Sequence, residues 1–262
     1  MPIVSAKDLL NAGAHFGHSA SRWNPKMAPY ILTKRNKIHI INLRETVRGL
    51  VAAYYFVRKT VSEGGQLLVV GTKRQAQEIV KRQSERCEMP YVSERWLGGT
   101  LTNLATIKER VKRLIELEKM EEDGSINSES KKMRSALNRE QRKIKRNLDG
   151  IRRMTDLPGV IFVVDPKHDH NAVAEAVTLG IPVVAMLDTD ADPDAISIPI
   201  PANDDALRSI ETVVAKIADA AVEGTNLRKA NPDLVHHKKA AERRQIEEQQ
   251  GIGAVTVGGR AR

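Results

Sequence analysis

The chain has 262 residues, of which 41% are hydrophobic, and a formal net charge of +9. This length and apolar content predict a folded protein with a sizeable core, and the absence of any run of about 18 apolar residues predicts that it does not span a membrane. A single cysteine, Cys87, excludes an internal disulfide and is typical of a reducing cytosol; the first residues also lack the apolar core of a signal peptide.

Short apolar strands and helices are predicted to alternate along the chain. The predicted strands are residues 37–43, 66–70, 89–92, 159–165 and 181–187. The predicted helices are residues 44–65, 71–87, 171–180 and 202–224. Thr72 is a plausible N-cap of the second helix, Asn203 or Asp204 of the last, and Gly224 is expected just after that helix ends. Because most of these strands are continuously apolar, the pattern predicts a parallel sheet covered by helices on both faces.

Residues 104–154 interrupt this alternation with two long, charged arms, each with one narrow apolar seam. The outgoing seam is Leu104, Ile107, Val111 and Leu114, and the returning seam is Met133, Leu137, Ile144, Leu148 and Ile151. A polar turn rich in Gly and Ser separates them. The pattern predicts an antiparallel coiled-coil hairpin inserted into the α/β domain. The alternative is a pair of helices packed flat on the sheet.

Charge is unevenly distributed along the chain. Residues 158–224 contain 3 basic and 12 acidic residues, whereas residues 22–37 contain 5 basic residues and no acidic ones. The returning arm, residues 131–153, contains 10 basic and 2 acidic residues, a net of +8. We therefore expect the basic stretches to face a polyanion and the acidic part to face away. No basic stretch has a lipid-seeking apolar face, which argues against a membrane surface.

Two histidine pairs are candidates for metal binding or catalysis. His15 and His18 lack nearby ligands with zinc spacing, whereas His168 and His170 follow Asp165 at the carboxyl end of a predicted strand. A structural or solvated role is favoured for both pairs, and whether the second holds an ion stays open. The Asp-rich loop from residue 188 to 205 lacks calcium-loop spacing and is interpreted as solvated or facing a partner.

The basic stretch from residue 15 to 37 combines Arg and Lys with aromatic rings and has no carboxylate. Such a surface is typical of RNA binding, because cations bind phosphates and rings stack on bases. At Gly71-Thr72-Lys73 the turn can bind phosphate or be an ordinary capped turn, since no nucleotide fingerprint is present. For Trp96, core packing and RNA contact are equally open.

Several motifs, in this order, resemble the bacterial small-subunit ribosomal protein family uS2. They are HFGH, RWNPKMAPYI, IHIINL, GTK, RWLGGTLTN, GVIFVVDP and EAVTLGIPVVAMLDTDADPDAISIPIPANDDA. The resemblance covers about residues 4–223; one departure is Asp190 and Ala191, where many members have Asn and Cys. It implies a flavodoxin-like parallel sheet with a coiled-coil insertion. It also implies binding to 16S rRNA at the head–body junction of the small (30S) subunit and support for docking of the large mRNA-binding protein of that subunit.

Together these features predict a cytoplasmic, non-enzymatic structural protein of the ribosome, without a cofactor, a metal ion or catalytic residues. The residues predicted to bind rRNA are Arg22, Trp23, Lys26, Tyr30, Lys34, Arg35, Lys37, Lys73, Arg74, Arg95, Trp96, Arg139, Arg142, Lys143, Lys145 and Arg146. The predicted divisions are an α/β domain (1–103 and 155–224, with the basic segment 15–37), the hairpin (104–154) and a basic, flexible tail (225–262). Two alternatives remain: a nucleotide-binding α/β enzyme or regulator, and an RNA-binding regulator outside the ribosome.

Overall fold

The computed structural model describes residues 4–125 and 130–231, which form eight strands and seven α-helices in these ranges. The strands are β1 Phe16–Ser19, β2 Ile31–Arg35, β3 Ile38–Ile41, β4 Leu67–Val70, β5 Tyr91–Val92, β6 Val160–Val164, β7 Val183–Leu187 and β8 Ile198–Pro201. The helices are α1 Ala6–Asn11, α2 Leu43–Ser62, α3 Gln77–Cys87, α4 Leu104–Glu122, α5 Lys131–Leu148, α6 His170–Thr178 and α7 Leu207–Ala230. None of the helices in these ranges has both the length and the apolar composition that crossing a membrane requires.

Five parallel strands form the larger sheet, in the order β5-β4-β6-β7-β8. Numbered within this sheet, the order is 2-1-3-4-5, which is the doubly wound order of flavodoxin. The predicted α/β class is therefore confirmed. In such sheets the strand order reverses between the first and third strands, here β4 and β6, and ligands bind beyond the carboxyl ends of the strands at that point.

Alternate residues of the parallel strands feed two separate cores, one on each face of the sheet. Leu67, Val69 and Phe162 pack with helices α2, α3 and α7, and Leu68, Val70 and Ile161 pack on the opposite face with α6 and the base of α4 and α5. The central strands β4, β6 and β7 are buried along their whole length. This explains why their sequences are continuously apolar rather than alternating.

The basic N-terminal stretch folds into a second, antiparallel sheet in the order β1-β3-β2. It lies across the carboxyl ends of β7 and β8, because the backbone N–H of Asn24 donates to the carbonyl of Thr189 (2.8 Å) and that of Asn203 donates to the carbonyl of Ala14 (3.0 Å). The predicted strand 37–43 is therefore a member of this small sheet and not of the parallel one. The following Asn42 caps α2 by accepting from the backbone N–H of Arg44.

Helices α4 and α5 pack against each other, as the two arms of residues 104–154 predict. Ile107, Leu114 and Leu117 of α4 and Leu148 of α5 are buried, whereas the predicted seam residue Met133 is 49% exposed. At the base of the pair, Arg152 donates to both carboxylate oxygens of Glu118 at 2.8 and 2.9 Å. The coiled-coil geometry itself stays a prediction, as does the division of the chain into domains.

Four local predictions are wrong. The first is the N-cap of α7, which is Ala206 and not Asn203 or Asp204. Residues 198–201 form β8, which is tolerated despite Pro199 and Pro201 because β8 is an edge strand. Thr72 does not cap α3, which begins five residues later at Gln77 and has no side-chain cap. Gly224 lies inside α7, where a Cβ would stand 2.6 Å from the carbonyl oxygen of Arg58, so glycine is required there by the close approach of α2.

Candidate nucleic-acid interface

The small sheet presents exposed cations that no carboxylate neutralises. Arg22, Lys34, Arg35 and Lys37 are exposed, and in the part of the chain that the structure describes none of them has a carboxylate oxygen within 4.0 Å. Arg35 ends β2 and pairs in register with Ile38 of β3. Free guanidinium and ammonium groups on one small sheet are what phosphate binding requires.

A two-residue turn places Lys37 at the tip of the β2–β3 hairpin. Asn36 and Lys37 have φ values of 50° and 64°, the left-handed conformation that both central residues of a type I′ turn need. Asn adopts this conformation more readily than most residues, but Lys does so at a cost. The twist of this turn matches that of the two strands, so the hairpin carries Lys37 outward beside Arg35.

Trp23 is the aromatic residue best placed to contact a base. Its ring is 36% exposed and lies over His39, with ring centroids 5.0 Å apart. Tyr30 is half-buried and packs against the core that contains α6. One face of the Trp23 indole is thus held by the protein, which leaves the ring positioned for stacking.

Lys26 differs from the other cations of this stretch. Its ammonium group lies 2.8 Å from Asp192 and 2.5 Å from Asp194, both in the loop after β7. These two carboxylates raise the pKa of Lys26. The Lys26 side chain therefore links the basic stretch to the acidic loop, and its positive charge is balanced by carboxylates of the same chain rather than by phosphate.

The crevice where the strand order reverses is filled by the chain's own side chains. The Lys73 ammonium lies 2.7 Å from Asp204, 2.6 Å from Asp205 and 3.3 Å from Asp165. Burial alone would lower the pKa of Lys73, but the carboxylates of Asp204 and Asp205 outweigh it and raise the pKa. The structural alternative is thus favoured for Lys73, whereas the adjacent Arg74 is exposed.

Thr72 closes the same crevice from the β4 side. Its hydroxyl donates to Asp169 at 2.7 Å, its backbone N–H donates to the other oxygen of that carboxylate at 3.0 Å, and the hydroxyl lies 2.9 Å from Nδ1 of His168. A donor that would face a nucleotide phosphate in a doubly wound enzyme is engaged internally here. His170, by contrast, is exposed at the start of α6.

His18 joins β1 to the ends of β7 and β8. Its backbone N–H donates to Asp188 (3.0 Å), and its ring nitrogens lie 3.0 Å from Asp188 and 3.4 Å from Asp205. Gly17, beside it, comes so close to Thr189 that a Cβ would stand 2.6 Å from that side chain. The HFGH motif is therefore a point of close contact between the two sheets.

The surroundings of His18 shift two pKa values upward. The Asp188 carboxylate raises the pKa of His18 to about 9, so the imidazole is positively charged at neutral pH. Burial, reinforced by the charges of Asp165 and Asp188, raises the pKa of Asp204 to about 7. Two cations, His18 and Lys73, thus lie within 4 Å of five carboxylates, those of Asp165, Asp188, Asp190, Asp204 and Asp205.

One set of side chains here has a metal-ligating arrangement. His18, Asp188 and Asp204 each offer one ligand atom, and these atoms lie within 4.8 Å of one another. One imidazole nitrogen and two carboxylate oxygens are a donor set that zinc accepts. These residues could hold a divalent cation in place of the proton on His18. The alternative pair, His168 and His170 with Asp165, does not form such a set among the described residues.

The loop that contains Arg95 and Trp96 is organised around one carboxylate of α6. Glu175 accepts hydrogen bonds from Nε1 of Trp96 (2.9 Å) and from the backbone N–H groups of Gly99, Leu101 and Thr102 (2.9, 3.0 and 3.1 Å). Trp96 is only 7% exposed, so the structure favours the packing alternative for this ring. The exposed Arg95 remains available to a ligand.

The five residues of α5 that were predicted to bind rRNA fall into two groups. Arg139, Arg142 and Lys143 are exposed and have no carboxylate within ion-pair distance in the described residues. Lys145 lies 3.6 Å from Glu118 and Arg146 lies 2.8 Å from Glu94. The first group therefore carries positive charge that no carboxylate of the described residues neutralises.

Comparison with known proteins agrees with this geometry. A model of the family "Ribosomal protein S2" matches residues 9–224 of the chain. The small ribosomal subunit protein uS2 of Rhodopirellula baltica is 56% identical over 218 residues, which is 83% of this chain and 84% of that protein. The match spans both sheets, helices α2–α6 and most of α7. The chain therefore belongs to the ribosomal protein S2 family, the uS2 proteins of the small ribosomal subunit.

Proposed function

We propose that this chain binds 16S rRNA near the head–body junction of the 30S subunit through its small sheet and helix α5. In this role it is a structural constituent of the cytoplasmic ribosome and supports docking of the large mRNA-binding protein during translation. Membership of the uS2 family supports a place in the small subunit. The position near the head–body junction and the docking of the mRNA-binding protein are supported by the resemblance of the sequence motifs to that family. The proposed contacts are Arg22, Trp23, Tyr30, Lys34, Arg35, Lys37, Arg74, Arg95, Arg139, Arg142, Lys143, Lys145 and Arg146.

The observation that carries the proposal is the set of unneutralised cations around a half-exposed indole on the small sheet. Lys26 and Lys73 leave the proposed contacts because two or more carboxylates hold each ammonium group, and Trp96 leaves because it is buried. Lys145 and Arg146 stay, because each is exposed and is paired with a single carboxylate. The nucleotide-enzyme alternative finds no support, since Lys73 and Thr72 are engaged by Asp204 and Asp169 at the position where a nucleotide would bind. Co-sedimentation with small subunits distinguishes a ribosomal role from that of a free RNA-binding regulator.

Replacing Arg22, Lys34 and Arg35 together with alanine should weaken rRNA binding and reduce its salt dependence. Each lost phosphate contact should flatten the slope of log affinity against log salt by about 0.7 to 0.9, so the triple variant should lose roughly 2 to 3. The melting temperature should stay nearly unchanged because all three side chains are exposed. Filter binding to a 16S rRNA fragment over a series of salt concentrations measures the slope.

Lys26→Ala is the matched control, since its charge is already neutralised by Asp192 and Asp194. It should leave the salt slope of rRNA binding almost unchanged. The same slope for the wild type and the triple variant would mean that the small sheet does not lie on RNA.

Helix α5 is expected to lie against rRNA, with α4 facing solvent or a protein. Residues 104–123 contain 5 basic and 6 acidic residues, a net of −1, against +8 for residues 131–153. Reversing Arg142 and Lys143 to Glu should lower incorporation into small subunits at least about tenfold, which corresponds to ~1.4 kcal/mol. Incorporation is measured on sucrose gradients with the variant in competition with the wild-type chain.

Glu109→Lys combined with Glu116→Lys is the control on α4. Both carboxylates are exposed, and this pair changes the charge of the helix pair by the same amount in the opposite direction. We expect little change in incorporation. If the two pairs of substitutions lower incorporation equally, or if neither lowers it, the proposed orientation of the two helices is refuted.

A further inference from the structure

A surface groove of about 640 Å³ lies between α6 and the loop that follows β7. Its floor is apolar, and its rim carries the carboxylates of Asp190, Asp192 and Asp194. The groove lies beside the small sheet, because Lys26 reaches across to Asp192 and Asp194. The contacts proposed above for rRNA use none of these floor and rim residues.

The floor is an exposed stripe of α6 that is apolar apart from His170 at its start. His170, Ala174 and Val177 are spaced 4 and 3 residues apart, so they share one face of the helix, and Val177 is 52% exposed. The only carboxylate or basic side chain on α6 other than His170 is Glu175, which is occupied by the Trp96 loop. This face therefore lacks the charges that normally solvate an exposed helix, which indicates a partner surface.

The rim makes this surface acidic. Asp192 and Asp194 share the single ammonium of Lys26, and Asp190 pairs with Lys167 at 2.7 Å. Asp190 also lies 3.9 Å from the His18 imidazole, so the uncompensated carboxylate charge of the rim is at Asp192 and Asp194. The rim belongs to the acidic part of the chain, residues 158–224, which contains 12 acidic and 3 basic residues. Such a surface repels phosphates, so RNA is a poor occupant. A cationic partner would gain from the negative charge that Lys26 alone does not balance at Asp192 and Asp194, and an apolar side chain would gain from the floor.

We propose that this groove binds an extended, cationic segment of a neighbouring protein in the small subunit. One apolar side chain of that segment packs against Ala174 and Val177, and its Lys or Arg side chains pair with Asp192 and Asp194. The inference goes beyond the rRNA and docking roles proposed above, because it adds an acidic, protein-binding surface to the basic surface that is proposed to bind rRNA. The two faces of the chain would then bind chemically different neighbours.

A photo-cross-linker at the floor of the groove tests this directly. Val177 is replaced with p-benzoylphenylalanine, the chain is assembled into small subunits, and the cross-linked peptides are identified by mass spectrometry. We expect a cross-link to a basic segment of another small-subunit protein. Adding Asp192→Lys and Asp194→Lys should lower its yield about tenfold, corresponding to ~1.4 kcal/mol. The same cross-linker at Tyr55, which is 51% exposed on α2, should not give this product.

A second measurement does not depend on assembly. The purified chain with the cross-linker at position 177 is irradiated with a peptide of alternating lysine and leucine, and separately with its glutamate counterpart. The basic peptide should be captured at least about tenfold more efficiently, and the two Asp→Lys changes should abolish this preference. Equal capture of the two peptides would overturn the proposal.

The outcomes in the subunit are equally decisive. A cross-link to rRNA, to an acidic or uncharged segment, to a second copy of this chain, or to nothing would overturn the proposal. If the chain sediments with small subunits but does not cross-link, only the proposal for the groove is contradicted. Loss of sedimentation by the wild-type chain would contradict the function proposed above, and the peptide measurement would still decide the groove.

Discussion

Glu175→Ala should destabilise the chain by roughly 3 to 5 kcal/mol, since it leaves buried hydrogen-bond donors without an acceptor and each such donor costs about 1 to 3 kcal/mol. The Nε1 of Trp96 and the backbone N–H of Leu101 are the costliest, because both residues are almost fully buried. Urea denaturation followed by far-UV circular dichroism measures the change.

The effect of Glu175 should depend on pH in a defined direction. Burial alone would raise the pKa of this carboxylate, but hydrogen bonds from Trp96 and the loop amides outweigh burial and hold the pKa below its ordinary value of 4.5. Its stabilisation is thus fully present above that value and is lost as the pH falls through the lowered pKa. The difference between wild type and Glu175→Ala should therefore be largest near neutral pH and shrink in acid. Glu109→Ala, an exposed carboxylate on α4, is the control and should change stability by less than about 0.5 kcal/mol.

Gly49→Ala should also be strongly destabilising, although alanine normally stabilises a helix interior by about 1 kcal/mol relative to glycine. Gly49 lies in α2 where the helix crosses β8, and a Cβ there would overlap with the carbonyl oxygen of Pro199. Since that atom belongs to backbone held in the sheet, the helix must move away from it. We expect a loss of about 3 kcal/mol, at the upper end of overpacking effects.

Calorimetry should show a melting temperature lowered by about 6 to 12 °C for Gly49→Ala. Gly98→Ala is the matched control, because no atom lies within 4 Å of a Cβ at that position. A Gly49→Ala protein as stable as Gly98→Ala would show that α2 can shift on β8 at little cost.

The parallel sheet was predictable because its strands are buried on both faces. Continuous apolar runs such as residues 160–164 and 183–187, with helices between them, are typical of strands that are covered on both faces. The edge strand β8 was not predictable by the same signal, since its prolines normally argue against a strand. The small sheet was missed for another reason: its hairpin turn at Asn36 and Lys37 contains no glycine, so the usual sequence sign of a type I′ turn is absent.

The amino-acid composition predicted the exposed cations of the candidate site. It did not predict the ion pairs of His18 and Lys73. Uncompensated charge at Arg22, Lys34 and Arg35 is visible in the sequence because no acidic residue lies nearby in the chain. The pairing of Lys73 with Asp204, and of His18 with Asp188, joins residues separated by more than 100 positions, and no local spacing predicts it. One signal was available, since Asp188 directly follows a predicted strand and the carboxyl ends of parallel strands converge. Trp96 stayed open because an indole with one polar atom suits a core and an interface equally.

The positions of the two tryptophans give the molecule two separate optical reporters. Trp23 is half-exposed over His39 on the small sheet, and Trp96 is buried against Glu175 in the loop before α4. Stacking of a nucleobase on an indole quenches its fluorescence, whereas exposure of a buried indole shifts its emission to longer wavelength. RNA association should thus dim the red-edge emission of Trp23, and loosening of the loop should move the blue-edge emission of Trp96. A single emission spectrum therefore distinguishes binding from unfolding in this chain.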